Sequence, residues 1–240
     1  MKGFLLMITF LTRIPIKYPF QYREEDFIKG IIWMPAIGLI IGLLLWGISF
    51  ISYFLDRIVV SIIICFAYIW ITGALHIDGL ADTVDGVFSN REKSRVLEIM
   101  KDSRIGAFGV LAIFFLLAFN IILVNLIDFR TLIIWPVLGR SSAILLCYFS
   151  QYLREMGIAK GFVENTGLKE VVFSKLLLII IALLIDYRLI PAILIVLYIT
   201  SYFIGFFKKK IGGITGDNIG FIIELSQTIF LFLTYLLTVV

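Results

Sequence analysis

Apolar positions in this chain form long continuous runs, rather than the one-sided or alternating patterns of soluble helices and strands. A helix needs about 20 apolar residues to cross the hydrocarbon core of a bilayer. The runs predict seven membrane spans, near residues 31–54, 58–75, 105–127, 131–153, 171–185, 189–207 and 219–240. The expected fold class is therefore all-α, a polytopic integral membrane helix bundle.

Two segments do not follow the simple pattern of one run per span. The apolar region 171–207 is too long for one span at the rise of an α-helix, and Asp186, Arg188 and Pro191 divide it. Residues 1–15 have too short an apolar core for a span and no small-residue cleavage site. We therefore predict an N-terminal interfacial helix that remains in the mature protein.

The composition agrees with a membrane protein. The 240 residues are 61% hydrophobic and 16% charged, and the mean hydropathy of +1.05 lies outside the range of soluble domains. Cys65 and Cys147 lie in apolar runs without partners at metal-site spacing, which is typical of small buried side chains. No repeat or soluble segment separates from the rest, so residues 1–240 are predicted to be one domain.

The basic residues predict the orientation in the membrane. Seventeen of the 21 lysines and arginines fall on one side of the predicted spans, three (Arg57, Arg130 and Arg188) on the other, and Arg140 inside a span. The positive-inside rule then places the N-terminus and every long polar segment in the cytoplasm, with the C-terminus outside a cytoplasmic (inner) membrane. The net charge of +4 reflects this topology, and no nucleic-acid partner is predicted.

The polar segment 76–109 contains Asp78, Asp82 and Asp85 at the spacing i, i+4, i+7. On a helix these residues share one narrow face, where carboxylates repel one another unless a cation lies among them. Oxygen-only ligands favour Mg²⁺ or Mn²⁺ over zinc. The pattern favours a metal site that acts on a phosphate or pyrophosphate, and a solvated acidic helix end is the alternative.

Three further groups are candidates for substrate contacts. Lys101-Asp102-Ser103-Arg104 closes the same segment, where Asp102 is a further candidate metal ligand and the two cations are suited to phosphate oxygens. The glycine-rich turn 212–216 leads into Asp217 and presents backbone N–H groups suited to an anion. Glu224, inside an apolar helix, is expected to face the protein interior or a polar cavity.

Three single residues complete the candidates. His76, the one histidine, lies where the second span meets the cytoplasm, as a general base or as a structural residue. Arg140 lies inside a span and needs a partner. Arg13 ends the N-terminal segment and is suited to headgroups or substrate.

These segments resemble the adenosylcobinamide-GDP ribazoletransferase (cobalamin synthase) family along the whole chain. The resemblance is carried by residues 10–15 (FLTRIP), 76–86 (HIDGLADTVDG), 98–106 (EIMKDSRIG) and 212–217 (GGITGD), and by the acid at Glu224. The acidic segment with its KDSRIG ending is the most specific of these.

The resemblance implies a Mg²⁺-dependent enzyme of cobalamin biosynthesis at the cytoplasmic face. It would join adenosylcobinamide-GDP to α-ribazole, or its 5′-phosphate, and release GMP. The assigned metal ligands are Asp78, Asp82, Asp85 and Asp102. The assigned catalytic residues are Asp82, His76, Lys101 and Arg104. The assigned substrate contacts are Arg13, Arg140, Gly213, Thr215, Asp217 and Glu224.

The expected partners are the corrinoid nucleotide, α-ribazole and the lipid bilayer, and self-association or association with other corrinoid-assembly enzymes is left open. The alternative function is a CDP-alcohol phosphotransferase, but the arginine and later acidic pair of its motif are absent after Asp78-Gly79. A prenyltransferase would need a second acidic motif, for which Asp217 with Glu224 is a poor match. A transporter would place its polar residues near the membrane midplane.

Overall fold

A computed structural model describes residues 1–16 and 21–239, and these residues form a helical bundle. In chain order its helices are α1 (Lys2–Leu11), α2 (Glu24–Ile28), α3 (Met34–Ser49), α4 (Arg57–Thr72), α5 (Leu75–Val87), α6 (Lys93–Ile99), α7 (Ala107–Leu126), α8 (Ile134–Phe149), α9 (Ile158–Asn165), α10 (Leu168–Ile185), α11 (Ile190–Ile211) and α12 (Gly216–Val239). Lys17, counted among the basic residues, and Val240, at the end of the last predicted span, lie outside the described residues. The all-α prediction is confirmed.

Several of these helices are long and apolar enough to cross a membrane. Within the described residues five qualify by length and composition, and a bent pair raises the number to six. The five are Glu24–Tyr53, Ala107–Leu126, Phe129–Phe149, Tyr187–Ile211 and Gly216–Val239. The remaining predicted span, 171–185, lies inside α10, which is continuous but begins with charged turns. The polytopic membrane bundle is confirmed, with a span count that depends on α10 and on the bent pair.

The bent pair consists of α4 and α5, which meet at 90°. Gly73 and Ala74 both have left-handed backbone conformations, with φ of 67° and 60°, and these end α4 at Thr72 rather than at residue 75. A helix turned by 90° from a membrane-crossing helix runs parallel to the membrane plane, and α5 leads directly into the polar segment 89–104. We therefore assign the crossing to α4 and place α5 outside the membrane-spanning segments.

The bundle has two different ends. At one end, the guanidinium of Arg57 donates hydrogen bonds to the carbonyls of Asn125 and Ile127, which joins the start of α4 to the end of α7. At the opposite end, here called the site end, the backbone N–H of Leu153 donates to the carbonyl of Ile214. The backbone N–H of Ile214 in turn donates to the carbonyl of Gln151. The site end carries α5, α6, α9 and the turn before α12.

Glycines allow α3 to pack closely against the segment that contains α8. A Cβ added to Gly42 would lie 2.8 Å from the Cα of Ile133, and one added to Gly38 would lie 2.8 Å from the Cα of Val137. Without a large hydrophobic effect between helices in lipid, such close backbone approach is a main source of stability. Gly47, on the exposed side of the same helix, has no atom within 4 Å of its would-be Cβ.

This difference predicts opposite effects of one substitution at two positions of α3. Gly42→Ala should lower the melting temperature in detergent, because overpacking against Ile133 costs about 1–3 kcal/mol. Gly47→Ala is the matched control and should leave the melting temperature unchanged or raise it, since alanine favours helix by about 1 kcal/mol. Equal melting temperatures for both variants would contradict the assigned packing of α3.

Candidate active site

The predicted acidic face lies on a helix, as the spacing required. Asp78, Asp82 and Asp85 all belong to α5. Asp85, however, accepts hydrogen bonds from the backbone N–H groups of Gly106, at 2.7 Å, and Gly109, at 2.9 Å. It therefore caps the start of α7 and compensates its macrodipole. The metal-ligand role of Asp85 stays a prediction, beside this structural role.

The helix α12 crosses α5 at very short range and adds another carboxylate. A Cβ on Gly79 would lie 2.9 Å from the Cα of Asp217, and one on Gly220 would lie 2.9 Å from the carbonyl oxygen of His76. Asn218 also donates a hydrogen bond to the hydroxyl of Thr83, at 3.2 Å. These contacts place Asp217 beside the acidic face of α5.

Asp217 is held by an arginine that the sequence did not single out. The guanidinium of Arg154 lies 2.6 Å from a carboxylate oxygen of Asp217, and both side chains are mostly buried. The backbone pairing of Gln151 and Leu153 with Ile214 brings this arginine to the turn before α12. In a sequence, an arginine just after a span is an ordinary flanking charge, so only the fold could identify it.

Asp78, Asp82 and Asp217, here called the acid cluster, interact electrostatically. Burial, followed by the charges of Asp78 and Asp217, raises the pKa of Asp82 to about 7, while the nearby Arg154 acts in the opposite direction. One cation among three carboxylates leaves an excess of negative charge. The site is therefore able to attract a further cation.

The donor chemistry of the acid cluster fits Mg²⁺. Among residues 1–16 and 21–239, no three His, Cys, Asp or Glu side chains converge into a preformed metal site. Mg²⁺ does not require one, since it keeps several waters and is usually bound through one or two carboxylates together with substrate phosphates. Asp78, Asp82 and Asp217 supply carboxylates of this kind, with the phosphates left to the substrate.

Asp102, the fourth predicted metal ligand, is paired with a neighbouring arginine. It forms a bidentate ion pair with Arg104, and these hydrogen bonds lower the pKa of Asp102 to about 2. The side chain of Arg104 is 87% exposed, and Lys101 is exposed as well. Arg154, the partner of Asp217, also donates a hydrogen bond to the carbonyl of Met100, at 3.2 Å, so the segment 101–104 begins beside this ion pair. The roles predicted for Lys101, Asp102 and Arg104 stay predictions.

His76 is buried rather than exposed at an interface, with 5% of its surface accessible. Burial, followed by the positive charge of Arg140, lowers the pKa of His76 well below its ordinary value. Its Nε2 is buried and has no hydrogen-bond partner among the described residues. Burial thus favours the neutral form of the imidazole, and the role of His76 as general base stays a prediction.

Arg140 and Glu224 lie in a polar network inside the bundle, joined through Tyr68 and Gln227. Arg140 donates to the side-chain oxygen of Gln227, at 3.1 Å, and the hydroxyl of Tyr68 donates to Glu224, at 2.7 Å. Gln227 also donates to the Tyr68 hydroxyl, at 2.7 Å. The expectation that Glu224 faces the interior is confirmed, since it is 1% exposed. Substrate contact by Arg140 and Glu224 stays a prediction.

The remaining candidates all hold local structure. A Cβ on Gly213 would collide with the carbonyl of Gln151, so glycine permits the pairing that positions Arg154. Thr215 is fully buried, and its backbone N–H donates to Asn218, at 2.8 Å. The backbone N–H of Arg13 donates to Ile71 at the end of α4, while its guanidinium lies 5.9 Å from the centroid of a Trp70 ring. Their substrate contacts stay predictions.

A cavity of about 250 Å³ adjoins the acid cluster. Asp78 and Asp217 lie on its wall together with His76, and most of the remaining lining is apolar. The site end therefore combines a group of carboxylates, suited to a metal and phosphates, with a neighbouring apolar compartment.

Comparisons with known proteins agree in their result. Residues 3–235 match the family model described as cobalamin-5-phosphate synthase. The adenosylcobinamide-GDP ribazoletransferase of Alkaliphilus oremlandii (strain OhILAs) is 44% identical over 241 residues, covering 99% of this chain and 98% of the relative. Proteins of the same name are 39% identical in Acetivibrio thermocellus, with 98% of both chains covered, and 40% identical in Clostridium acetobutylicum, with 98% and 96% covered. No solved structure matches the chain.

The raised pKa of Asp82 predicts a pH-dependent gain of stability for Asp82→Asn in the metal-free protein. The folded pKa of about 7 exceeds the unfolded value, so the native state loses stability as the pH rises from about 4 to 7. The variant avoids this cost. Its melting temperature in detergent with EDTA should exceed that of the wild type at pH 8.

The control for this prediction is the same comparison at pH 4, where the carboxyl of Asp82 is protonated in the folded state. The difference in melting temperature between Asp82→Asn and the wild type should be smaller there than at pH 8. A difference that does not depend on pH would show that the charge of Asp82 is not the cause.

Proposed function

Because the chain belongs to the cobalamin-5-phosphate synthase family, we propose that it catalyses the reaction for which its relatives are named. It transfers the activated cobinamide of adenosylcobinamide-GDP to α-ribazole, or to its 5′-phosphate, and releases GMP. The structural observation that carries this proposal is the acid cluster. The family match over residues 3–235 includes Asp78, Asp82 and Asp217, which α5 and α12 bring together. The CDP-alcohol phosphotransferase alternative is not favoured by the family match.

In the proposed reaction, a ribose hydroxyl of α-ribazole attacks the phosphorus on the cobinamide side of the pyrophosphate. A new oxygen–phosphorus bond forms, the bridging bond to the departing GMP breaks, and the hydroxyl proton is lost. Mg²⁺ bound by Asp78, Asp82 and Asp217 would neutralise charge on the pyrophosphate. Arg154 keeps Asp217 oriented through the 2.6 Å ion pair. A carboxylate of the acid cluster or His76, which line the same cavity, would accept the proton.

The location proposed for the reaction is the cytoplasmic face of the inner membrane. The distribution of basic residues supports this orientation, because the site end contains the long polar segments rich in lysine and arginine. The N-terminus lies on the same side in this proposal, and α1 packs there as a short helix with Leu6, Met7 and Leu11 buried. Self-association and association with other corrinoid-assembly enzymes stay predictions.

A turnover assay tests the proposed reaction. Purified protein in detergent, given adenosylcobinamide-GDP, α-ribazole and Mg²⁺, should form adenosylcobalamin and GMP, followed by mass spectrometry. EDTA should abolish both products, and Asp82→Asn should lower turnover by roughly 100-fold or more. Asp128→Asn, at the opposite end of the bundle, removes a largely exposed ion pair with Arg130; it is the matched control and should retain most of the activity. Near-normal turnover by a folded Asp82→Asn variant would contradict the assignment of the acid cluster.

The two ion pairs at the site end predict different effects of losing an arginine. Arg154→Gln should lower kcat by about 10-fold or more, because Asp217 loses the partner that orients it. Arg104→Gln removes an ion pair that is largely exposed and should have a smaller effect. The two variants would be compared in the same turnover assay, with their melting temperatures as a check of folding. A larger loss for Arg104→Gln would shift the phosphate-binding role to the segment 101–104.

A further inference from the structure

The cavity beside the acid cluster lies where several helices of the site end meet. Its lining comes from α1, α3, α5, α8, α9 and α12. The aromatic rings of Phe10 and Phe162 lie 5.4 Å apart, tilted by 31°, and both contribute to the wall. Leu75 and Ile158, which are 46% and 61% exposed, mark where the cavity reaches the surface. The compartment is thus apolar, partly aromatic and open to an entering ligand.

The size of the cavity discriminates between the parts of the two substrates. A cavity of about 150 Å³ lined by aliphatic and aromatic side chains is large enough to bind benzene. A volume of about 250 Å³ therefore suits a flat two-ring system. The corrin macrocycle with its peripheral side chains is many times larger than this and cannot enter.

The chemistry of the wall discriminates further between the two nitrogen bases of the reaction. Guanine carries several hydrogen-bond donors and acceptors, and a buried polar group without a partner is strongly unfavourable. Most of the wall, including Phe10, Phe162 and Ile223, offers no such partners. Its carboxylate and imidazole side chains, those of Asp78, Asp217 and His76, all come from α5 and α12, the two helices that cross at the acid cluster. A dimethylbenzimidazole has one free ring nitrogen and two methyl groups, and its apolar surface matches this lining.

The acid cluster adjoins the same cavity. Asp78 and Asp217 line the wall contributed by α5 and α12, at the close crossing made by Gly79 and Gly220. A nucleoside whose base occupies the apolar part would therefore place its sugar near these carboxylates. This is the arrangement that attack by a ribose hydroxyl requires.

We propose that this cavity is the binding subsite for the aromatic base of α-ribazole, with the ribose directed toward the acid cluster. The inference rests on the proposed function, because it assigns one of the two substrates of that reaction. It leaves the corrin macrocycle of the other substrate outside this cavity, since the cavity is too small for it.

Ala159 in α9 is the position from which the cavity can be narrowed. Ala159 lines the cavity, and its Cβ would lie 3.2 Å from a Cβ added to Gly216. Ala159→Leu adds three carbon atoms to the wall near the start of α12. Gly161→Ala is the matched control, since it lies on the same helix, does not line the cavity and has no atom within 4 Å of its would-be Cβ.

The experiment compares two acceptors, α-ribazole and the riboside of unsubstituted benzimidazole, which lacks the two methyl groups. In Ala159→Leu the KM for α-ribazole should rise, while the KM for adenosylcobinamide-GDP should remain that of the wild type. The preference for α-ribazole over the smaller riboside, as the ratio of kcat/KM values, should fall by about 10-fold or more. Gly161→Ala should keep the wild-type ratio.

The possible results separate this inference from the proposed function. Wild-type protein that forms no product would refute the function itself. An active wild type together with an unchanged acceptor ratio in Ala159→Leu would overturn the subsite and leave the function standing. The melting temperature of Ala159→Leu checks its folding. A folded variant that loses kcat/KM equally for both acceptors would also count against the subsite.

Discussion

The close crossing of α5 and α12 is the contact on which the candidate active site depends. Gly79 and Gly220 remove the side chains that would otherwise separate the two backbones, and the hydrogen bond from Asn218 to Thr83 fixes their register. This contact brings Asp78 and Asp82 on α5 close to Asp217 on α12. Neither helix alone contains the acid cluster, so the site exists only because two backbones can approach this closely.

Inside the bundle, a second set of contacts keeps α12 in the same position. Arg140, Tyr68, Gln227 and Glu224 join α8, α4 and α12 through buried hydrogen bonds. In an apolar environment each of these groups is costly without a partner, so few other registers of α12 are acceptable. The network thus lies inside the bundle next to the site and restrains α12, the helix that carries Asp217.

The acid cluster is a compromise between stability and function. Burial and mutual repulsion raise the pKa of Asp82 to about 7, which is unfavourable for a carboxylate at neutral pH. The ion pair between Arg154 and Asp217 offsets only part of the negative charge. Such unbalanced charge is typical of sites that bind a cation or stabilise a transition state. The apolar cavity next to it gives the same site a second, chemically distinct compartment.

The sequence by itself determined the helical membrane architecture, because runs of about 20 apolar residues have few other stable environments. It also determined the acidic face of α5, since helical periodicity places Asp78 and Asp82 together. It could not show that α4 ends at Thr72 in a 90° bend, that Asp85 caps α7, or that Asp102 pairs with Arg104. Nor could it join Arg154 and Asp217, which are far apart in the chain and meet only through the backbone pairing of Leu153 with Ile214. Local periodicity is encoded in neighbouring residues, whereas contacts between distant segments depend on how helices pack, and this only the tertiary structure decided.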